Sequence, residues 1–189
     1  MKKLILFLVL IINANVFAGY YLDLAVRPGV SVNSTLDESG VKNNDLNFSL
    51  GGELGGNLGY ITVGGGIQFN NAMSFDGGTA GTTGDLKLMP YYAYARFNVF
   101  PIVFKPYLVY KMGINKVVDY TGFGSGVEDG TYWAIGFGMD IYNLLGEVTY
   151  QNSTMTINGV DENLSQIQLV LGIKAFSIKK SEISDFFIC

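Results

Sequence analysis

The sequence predicts an all-β protein, an eight-stranded antiparallel up-and-down transmembrane β-barrel. Three observations predict it. About eight segments alternate apolar and polar residues with the period of a strand, on which successive side chains point to opposite faces. Long polar connections alternate with short turns along the chain, as in membrane barrels. Composition is that of strands meeting lipid rather than of a soluble secreted domain: 49% of residues are hydrophobic and 15% charged, with 25 Gly, 13 Phe and 12 Tyr among 189.

The chain opens on MKKLILFLVLIINANVFA, residues 1–18. Two lysines precede an apolar run from Leu4 to Ile12, and Val16 and Ala18 occupy the small-residue positions of a cleavage site before Gly19. This predicts a secretory signal peptide, too short and wrongly flanked for a spanning helix. No later run approaches the ~18 apolar residues a spanning helix requires. The lone cysteine is Cys189, so no intrachain disulfide forms, and it does not follow the leader as a lipoprotein acylation site would. Formal charge is −4, falling to −6 once Lys2 and Lys3 leave with the leader. With no basic stripe, nucleic acid is not an expected partner.

The first strand spans about Tyr20–Val32, with Leu22, Leu24, Val26, Pro28 and Val30 opposite Asp23, Ala25, Arg27, Gly29 and Ser31. A polar connection, Asn33–Asn44, leads to Asp45–Gly56, where Leu46, Phe48, Leu50 and Leu54 oppose Asn47, Ser49 and Glu53. Asn57-Leu58-Gly59 is a tight turn. Strand three, Tyr60–Asn70, opposes Ile61, Val63, Ile67 and Phe69 to Tyr60, Thr62 and Gln68. The Gly- and Thr-rich stretch Asn71–Gly84 is a long loop. Then comes the clearest hairpin. Met89, Tyr91, Ala93, Ala95, Phe97 and Val99 oppose Tyr92, Tyr94, Arg96 and Asn98. After a Phe100-Pro101 turn, Phe104, Pro106, Leu108, Tyr110, Met112 and Ile114 oppose Lys105, Tyr107, Lys111 and Asn115.

A second long loop, Lys116–Gly130, precedes strand six, Thr131–Ile141. There Trp133, Ile135, Phe137, Met139 and Ile141 oppose Tyr132, Ala134, Gly136, Gly138 and Asp140. A short turn at Asn143–Gly146 joins it to the weaker strand Glu147–Ile157. A shorter upper loop, Asn158–Asn163, leads to Ser165–Phe176, which sets Ile167, Leu169, Leu171, Ile173 and Ala175 against Gln166, Gln168, Gly172 and Lys174. The expected organisation is leader 1–18, barrel 19–176 and a short tail 177–189.

A soluble lipocalin-like barrel has the same period with its apolar face inward. The polar face separates the two. Turned inward it supplies Asp23, Arg27, Glu53, Arg96, Lys105, Lys111, Asp140, Glu147 and Lys174, close to neutral and mixed with Gly, Ser, Thr, Gln and Tyr. Such a set fits a narrow lumen where buried charges pair and small residues leave room. A soluble exterior carries denser Lys and Glu. Aromatics near strand ends on the apolar face (Tyr20, Phe69, Tyr91, Phe97, Phe104, Trp133 and Tyr150) suit interfacial girdles.

On this pattern, and on the strand-turn phrase PYYAYARFNVFP, the chain resembles the small eight-stranded outer-membrane barrels: OmpX-like proteins, opacity-type adhesins and the membrane domain of OmpA. The resemblance covers nearly all of residues 19–176. It implies a Gram-negative-type outer membrane, with its lipid as surroundings, and folding by the barrel-assembly machinery. One departure stands out. Such barrels end on an aromatic that serves as an assembly signal, whereas here the candidate, Phe176, shares the Gln168–Lys174 parity and is followed by SIKKSEISDFFIC. A bulge reverses the parity or the signal is read differently. Phe186-Phe187 in the tail is a candidate partner contact.

The chain has no histidine, which removes Ser-His and Asp-His catalysis, and Cys189 lacks a partner base. Gly64-Gly65-Gly66 and GFGSG at 122–126 open no helix and supply no following Lys, so they serve packing or turns. Glu53, Asp140 and Glu147 read as partners of lumen cations. No enzyme activity, cofactor or metal is expected. Specificity falls to the loops, which, counted over Asn33–Asp45, Asn71–Asp85, Lys116–Gly130 and Asn158–Asn163, hold ten acids and two bases. Asp37, Glu38, Asp76, Asp119, Glu128, Asp129, Asp161 and Glu162 form the acidic candidates, without calcium-loop spacing. The expected function is surface interaction, adhesion or envelope integrity by a monomer with a plugged lumen, through loops that meet a host surface. The alternative is a narrow channel or lateral conduit for small solutes.

Overall fold

A computed structural model describes residues 21–36, 41–43, 46–71, 73–75, 84–99, 104–122 and 126–179. The leader, the Phe100-Pro101 turn and residues 180–189, with Phe186, Phe187 and Cys189, lie outside the described residues. So do Tyr20, Asp37, Glu38 and Asp76. The strands are β1 (Tyr21–Leu36), β2 (Val41–Asn43), β3 (Asn47–Asn57), β4 (Ile61–Asn70), β5 (Met73–Phe75), β6 (Gly84–Asn98), β7 (Phe104–Thr121), β8 (Val127–Glu128), β9 (Gly130–Ile141), β10 (Leu144–Ile157) and β11 (Val160–Lys179). Eight of them (β1, β3, β4, β6, β7, β9, β10 and β11) pair antiparallel in chain order, and β11 pairs back onto β1 to close the barrel. Closure leaves the barrel wall no unpaired edge, the condition for backbone to cross lipid. The short β2, β5 and β8 pair with β1, β6 and β10 at the loop end.

Two-residue turns set the register of two hairpins. Tyr142-Asn143 joins β9 to β10, with Tyr142 at φ 54°. Asn158-Gly159 joins β10 to β11 with φ values of 52° and 82°, the type I′ geometry that matches strand twist. The six-residue loop expected at Asn158–Asn163 is therefore a tight turn, and both strands run on through Ile157 and Val160. The long loops expected at Asn71–Gly84 and Lys116–Gly130 are likewise partly strand: β5, the start of β6, the end of β7 and β8.

The outward face is apolar over a band. On β7 it runs from Phe104 through Leu108, Tyr110 and Met112 to Ile114, all exposed. At about 3.3 Å per residue and a ~45° tilt, such a run crosses a ~25 Å hydrocarbon layer. Phe97, Phe104, Tyr60 and Tyr142 stand at the turn end of this band. Trp133 and Tyr150 meet at the other in a tilted contact, ring centroids 5.7 Å apart. Above them polar side chains enter the exterior, beside exposed Val118 and Val160. On the β10–β11 hairpin, Asn152 donates to Ser165 (3.1 Å), and Thr154 and Thr156 donate to Asn163 (3.0 Å) and Asp161 (2.8 Å).

The interior changes in the opposite sense. Within the band it holds charges, amides and tyrosines; above it, Leu36, Met73, Leu86, Leu88, Met155 and Leu164 close into a dry cluster. Lipid outside goes with polar inside, and polar outside with apolar inside. Each half thus buries what its own solvent rejects, which locates the upper membrane boundary near Trp133 and Tyr150.

Among the described residues three β-bulges adjust parity. One between Val32 and Thr35 places Ser34 and Leu36 inward, and one in β7 opposite Lys87 and Leu88 leaves Val118 outside the inward series. The third lies where Leu24 pairs Phe176 while Ala25 pairs Lys174. It sets Phe176 opposite outward-facing Leu24, so the last strand does not keep the simple Gln168–Lys174 parity to its end.

Candidate functional site

The centre of the lumen is an ion network carried by five strands. Arg27 from β1, Glu53 from β3, Arg96 from β6, Lys111 from β7 and Glu147 from β10 all have inward parity and are buried. Arg27 spans both carboxylates, with Nη1 2.8 Å from Glu53 Oε2 and Nη2 2.6 Å from Glu147 Oε1. Lys111 Nζ lies 2.7 Å from Glu147 Oε1 and 3.4 Å from Glu53 Oε1. Arg96 pairs Glu53, with its Nε 3.9 Å from Glu147 Oε2. Each carboxylate therefore meets all three cations. Tyr92 and Tyr107 hydroxyls donate to Glu53 (2.9 Å) and Glu147 (3.1 Å). Arg96 also lies over the rings of Tyr94 and Tyr107, at 4.6 and 5.3 Å, and Lys111 over Tyr92 at 5.1 Å.

Room for those rings comes from the facing strand. Gly66 lies under Tyr92, where a Cβ would meet the ring and Glu53 Cγ at 2.8 Å, and Gly64 lies under Tyr94. Within the triple glycine, Gly64 and Gly66 are packing space for lumen tyrosines, while Gly65 between them faces outward.

A second cluster sits at the turn end, where Lys174 pairs Asp140 and lies 3.7 Å from Asp23. Lys105 shares the inward parity and pairs in register with Asp140, but it is exposed at the end of β7 and belongs to neither cluster. Parity gives a residue's face and not its depth, so grouping Lys105 with Arg96 and Lys111 is corrected. The two clusters are also separate: Asp23 and Asp140 answer Lys174, not the central cations.

Between the ions and the dry cluster lies an amide layer. Gln166 donates to Gln151 Oε1 (3.0 Å), Gln168 to Ser49 Oγ (2.8 Å), Gln151 to Gln168, and Asn47 to Ser34 (3.3 Å). Sequence reasoning placed Gln166 and Gln168 inward but missed the apolar cluster above them. Its signal is present: Leu86, Leu88 and Leu164 alternate in phase with inward positions, and Met155 continues the Glu147–Gln151 face.

At the loop end, Asp119 is exposed on β7 and its carboxylate accepts from Lys87 Nζ at 2.9 Å. This hydrogen bond, with the attraction between the charges, holds Asp119 below the usual carboxylate range and raises Lys87. Asp129 accepts from the Val117 amide at 2.9 Å and lies 3.5 Å from Lys116, where the β7–β9 ladder stops. Glu128 and Asp161 are exposed. Glu162 is the exception among the described acidic candidates. It pairs Met155 inside the wall and is buried, so it is not part of the exposed rim. The I′ turn causes this, because it converts the expected loop into strand and restores inward parity at Glu162. Among the described residues no three acidic, His or Cys side chains gather as a metal site.

A closed eight-stranded barrel with an apolar outer band, short turns at one end and extended hairpins at the other defines the class: an outer-membrane-type β-barrel. Among solved structures the chain is similar to Neisserial surface protein A (NspA), with a TM-score of 0.50 and 13% identity over 82% of this chain and 96% of that one. It is also similar to Ail, the attachment invasion locus protein of Yersinia pestis, solved with the heparin analogue sucrose octasulfate (TM-score 0.48, 14% identity, 82% and 99% covered). A third likeness is to the outer membrane protein AlkL in DMPC bilayers (TM-score 0.39, 15% identity, 85% and 89% covered). No protein family and no curated protein matches the sequence. At such identities the likeness to NspA speaks for the fold.

Proposed function

We propose that this chain is a non-conducting outer-membrane barrel that serves as a rigid, monomeric scaffold for surface contacts or envelope integrity, made through its acidic loop end. The observation that carries this reading is the filled lumen. Arg27, Glu53, Arg96, Lys111 and Glu147 join five strands across the interior, each side chain no more than 7% exposed. An ion path would have to break that network and desolvate what remains. The dry cluster of Leu86, Leu88, Met155 and Leu164 adds a second barrier above it. These features favour the scaffold over the channel or lateral conduit.

The rim supports a partner of basic character. Lys87 and Lys116 are each paired with an acid, while Glu128 and Asp161 lie exposed nearby. Such a surface attracts cationic patches and repels sulfated or phosphorylated polyanions. The register of Phe176 opposite Leu24 supports a role for this aromatic as the terminal signal for barrel assembly. Conductance of the refolded protein in planar bilayers tests the reading. A flat current at applied voltages is expected; reproducible single-channel steps would sink it.

A further inference from the structure

Asn158-Gly159 is the only Asn-Gly pair in the sequence. It forms the tip of the β10–β11 hairpin, where both residues are exposed. An Asn side-chain amide is open to attack by the backbone nitrogen of the next residue, and a following glycine, having no side chain, shields that nitrogen least. A folded chain permits the attack only where neither group is held. In this two-residue I′ turn the ladder closes through Ile157 and Val160, which leaves the Gly159 N–H outside it. The Asn158 backbone N–H donates to the Gly126 carbonyl at 2.9 Å. Its side chain and the Gly159 N–H have no hydrogen-bond partner among the described residues.

Other asparagines are held or shielded. Asn57 Oδ1 accepts from the Gly59 N–H at 2.9 Å, and Asn152 donates to Ser165 at 3.1 Å. Asn143 lies in the two-residue turn between β9 and β10, but there Leu144 follows it.

We propose that Asn158 is a site of spontaneous deamidation in the folded barrel. The Gly159 nitrogen gives up its proton to solvent and bonds to Asn158 Cγ. The Cγ–Nδ2 bond breaks, the nitrogen leaves with a solvent proton as ammonia, and a succinimide ring remains. Water opens the ring at either carbonyl, giving aspartate or isoaspartate; nothing is oxidised or reduced. Both products add a carboxylate to the end of the barrel that carries exposed Asp161 and Glu128. Isoaspartate also lengthens the main chain of a turn whose length fixes the register.

The refolded barrel in detergent micelles and the same chain unfolded in urea are incubated at mildly alkaline pH. Peptide mass spectrometry follows each asparagine, and isoaspartate methyltransferase labels the isomer. Asn158 in the folded barrel is expected to convert within about tenfold of its rate in the unfolded chain, as for an exposed turn, while Asn143 stays an amide. Attack that waited on global unfolding would be slower by about a thousandfold or more. Slowing beyond tenfold, or equal conversion of Asn143 and Asn158, would overturn the site. Asn158→Gln, which has to close a larger ring, should lose the acidic form seen on anion exchange and keep the heat-dependent gel shift of a folded barrel. Persistence of that acidic form would place the change elsewhere and overturn the assignment.

Discussion

Glu53 and Glu147 hold the lumen together because each is shared by the same three cations. With Arg27, Arg96 and Lys111 all within ion-pair distance, removing one carboxylate leaves three buried positive charges facing a single acid. Breaking a buried pair costs about 3–5 kcal/mol, much of it from the charge left behind. Glu53→Ala is therefore expected to destabilise the barrel by about that amount, read as a shift in urea midpoint for unfolding from lipid vesicles. An unchanged midpoint would mean that water enters the lumen and solvates the cations. At this scale the sequence was legible for direction and not for partnership. Period two places Arg27, Glu53, Arg96, Lys111 and Glu147 on one face. It says nothing of the height at which strands far apart in sequence meet, so Lys105 shares the face of residues it does not reach.

At the scale of elements, hairpins hold the register on which every inward position depends. Gly159 at φ 82° is the clearest case, since an L side chain there is strained whatever the space around it. Gly159→Ala should cost about 1–2 kcal/mol. Gly56→Ala, where the added Cβ meets nothing, should change stability by less than about 0.5 kcal/mol. Equilibrium unfolding of the two variants side by side decides it, and equal effects would count against the I′ turn. The Asn-Gly pair was readable as a hairpin signal. The run of polar residues after it, Asp161 to Asn163, hid the strand because it emerges into water. There, outward polarity is what a strand should show.

The whole molecule is organised by two solvents. Phe137 lies mid-band, between Leu108 and Val148 in register, and is exposed. Arginine there should cost about 2–4 kcal/mol. Val118 is exposed as well but lies past Lys116 in the emergent part, where arginine should be nearly neutral. Folding yield into vesicles, followed by the gel shift, compares them; equal yields would contradict the boundary drawn at Trp133 and Tyr150. The sequence by itself determined the strand period, the number of crossings and the side that faces lipid, because each is written in neighbouring residues. Only the tertiary structure decided which lumen charges meet, that Glu162 is inside, and that the lumen turns apolar above the membrane. Those depend on the bulges and turns that set how far each strand slides past the next, and on closure of β11 against β1, which brings residues from opposite ends of the chain to one level.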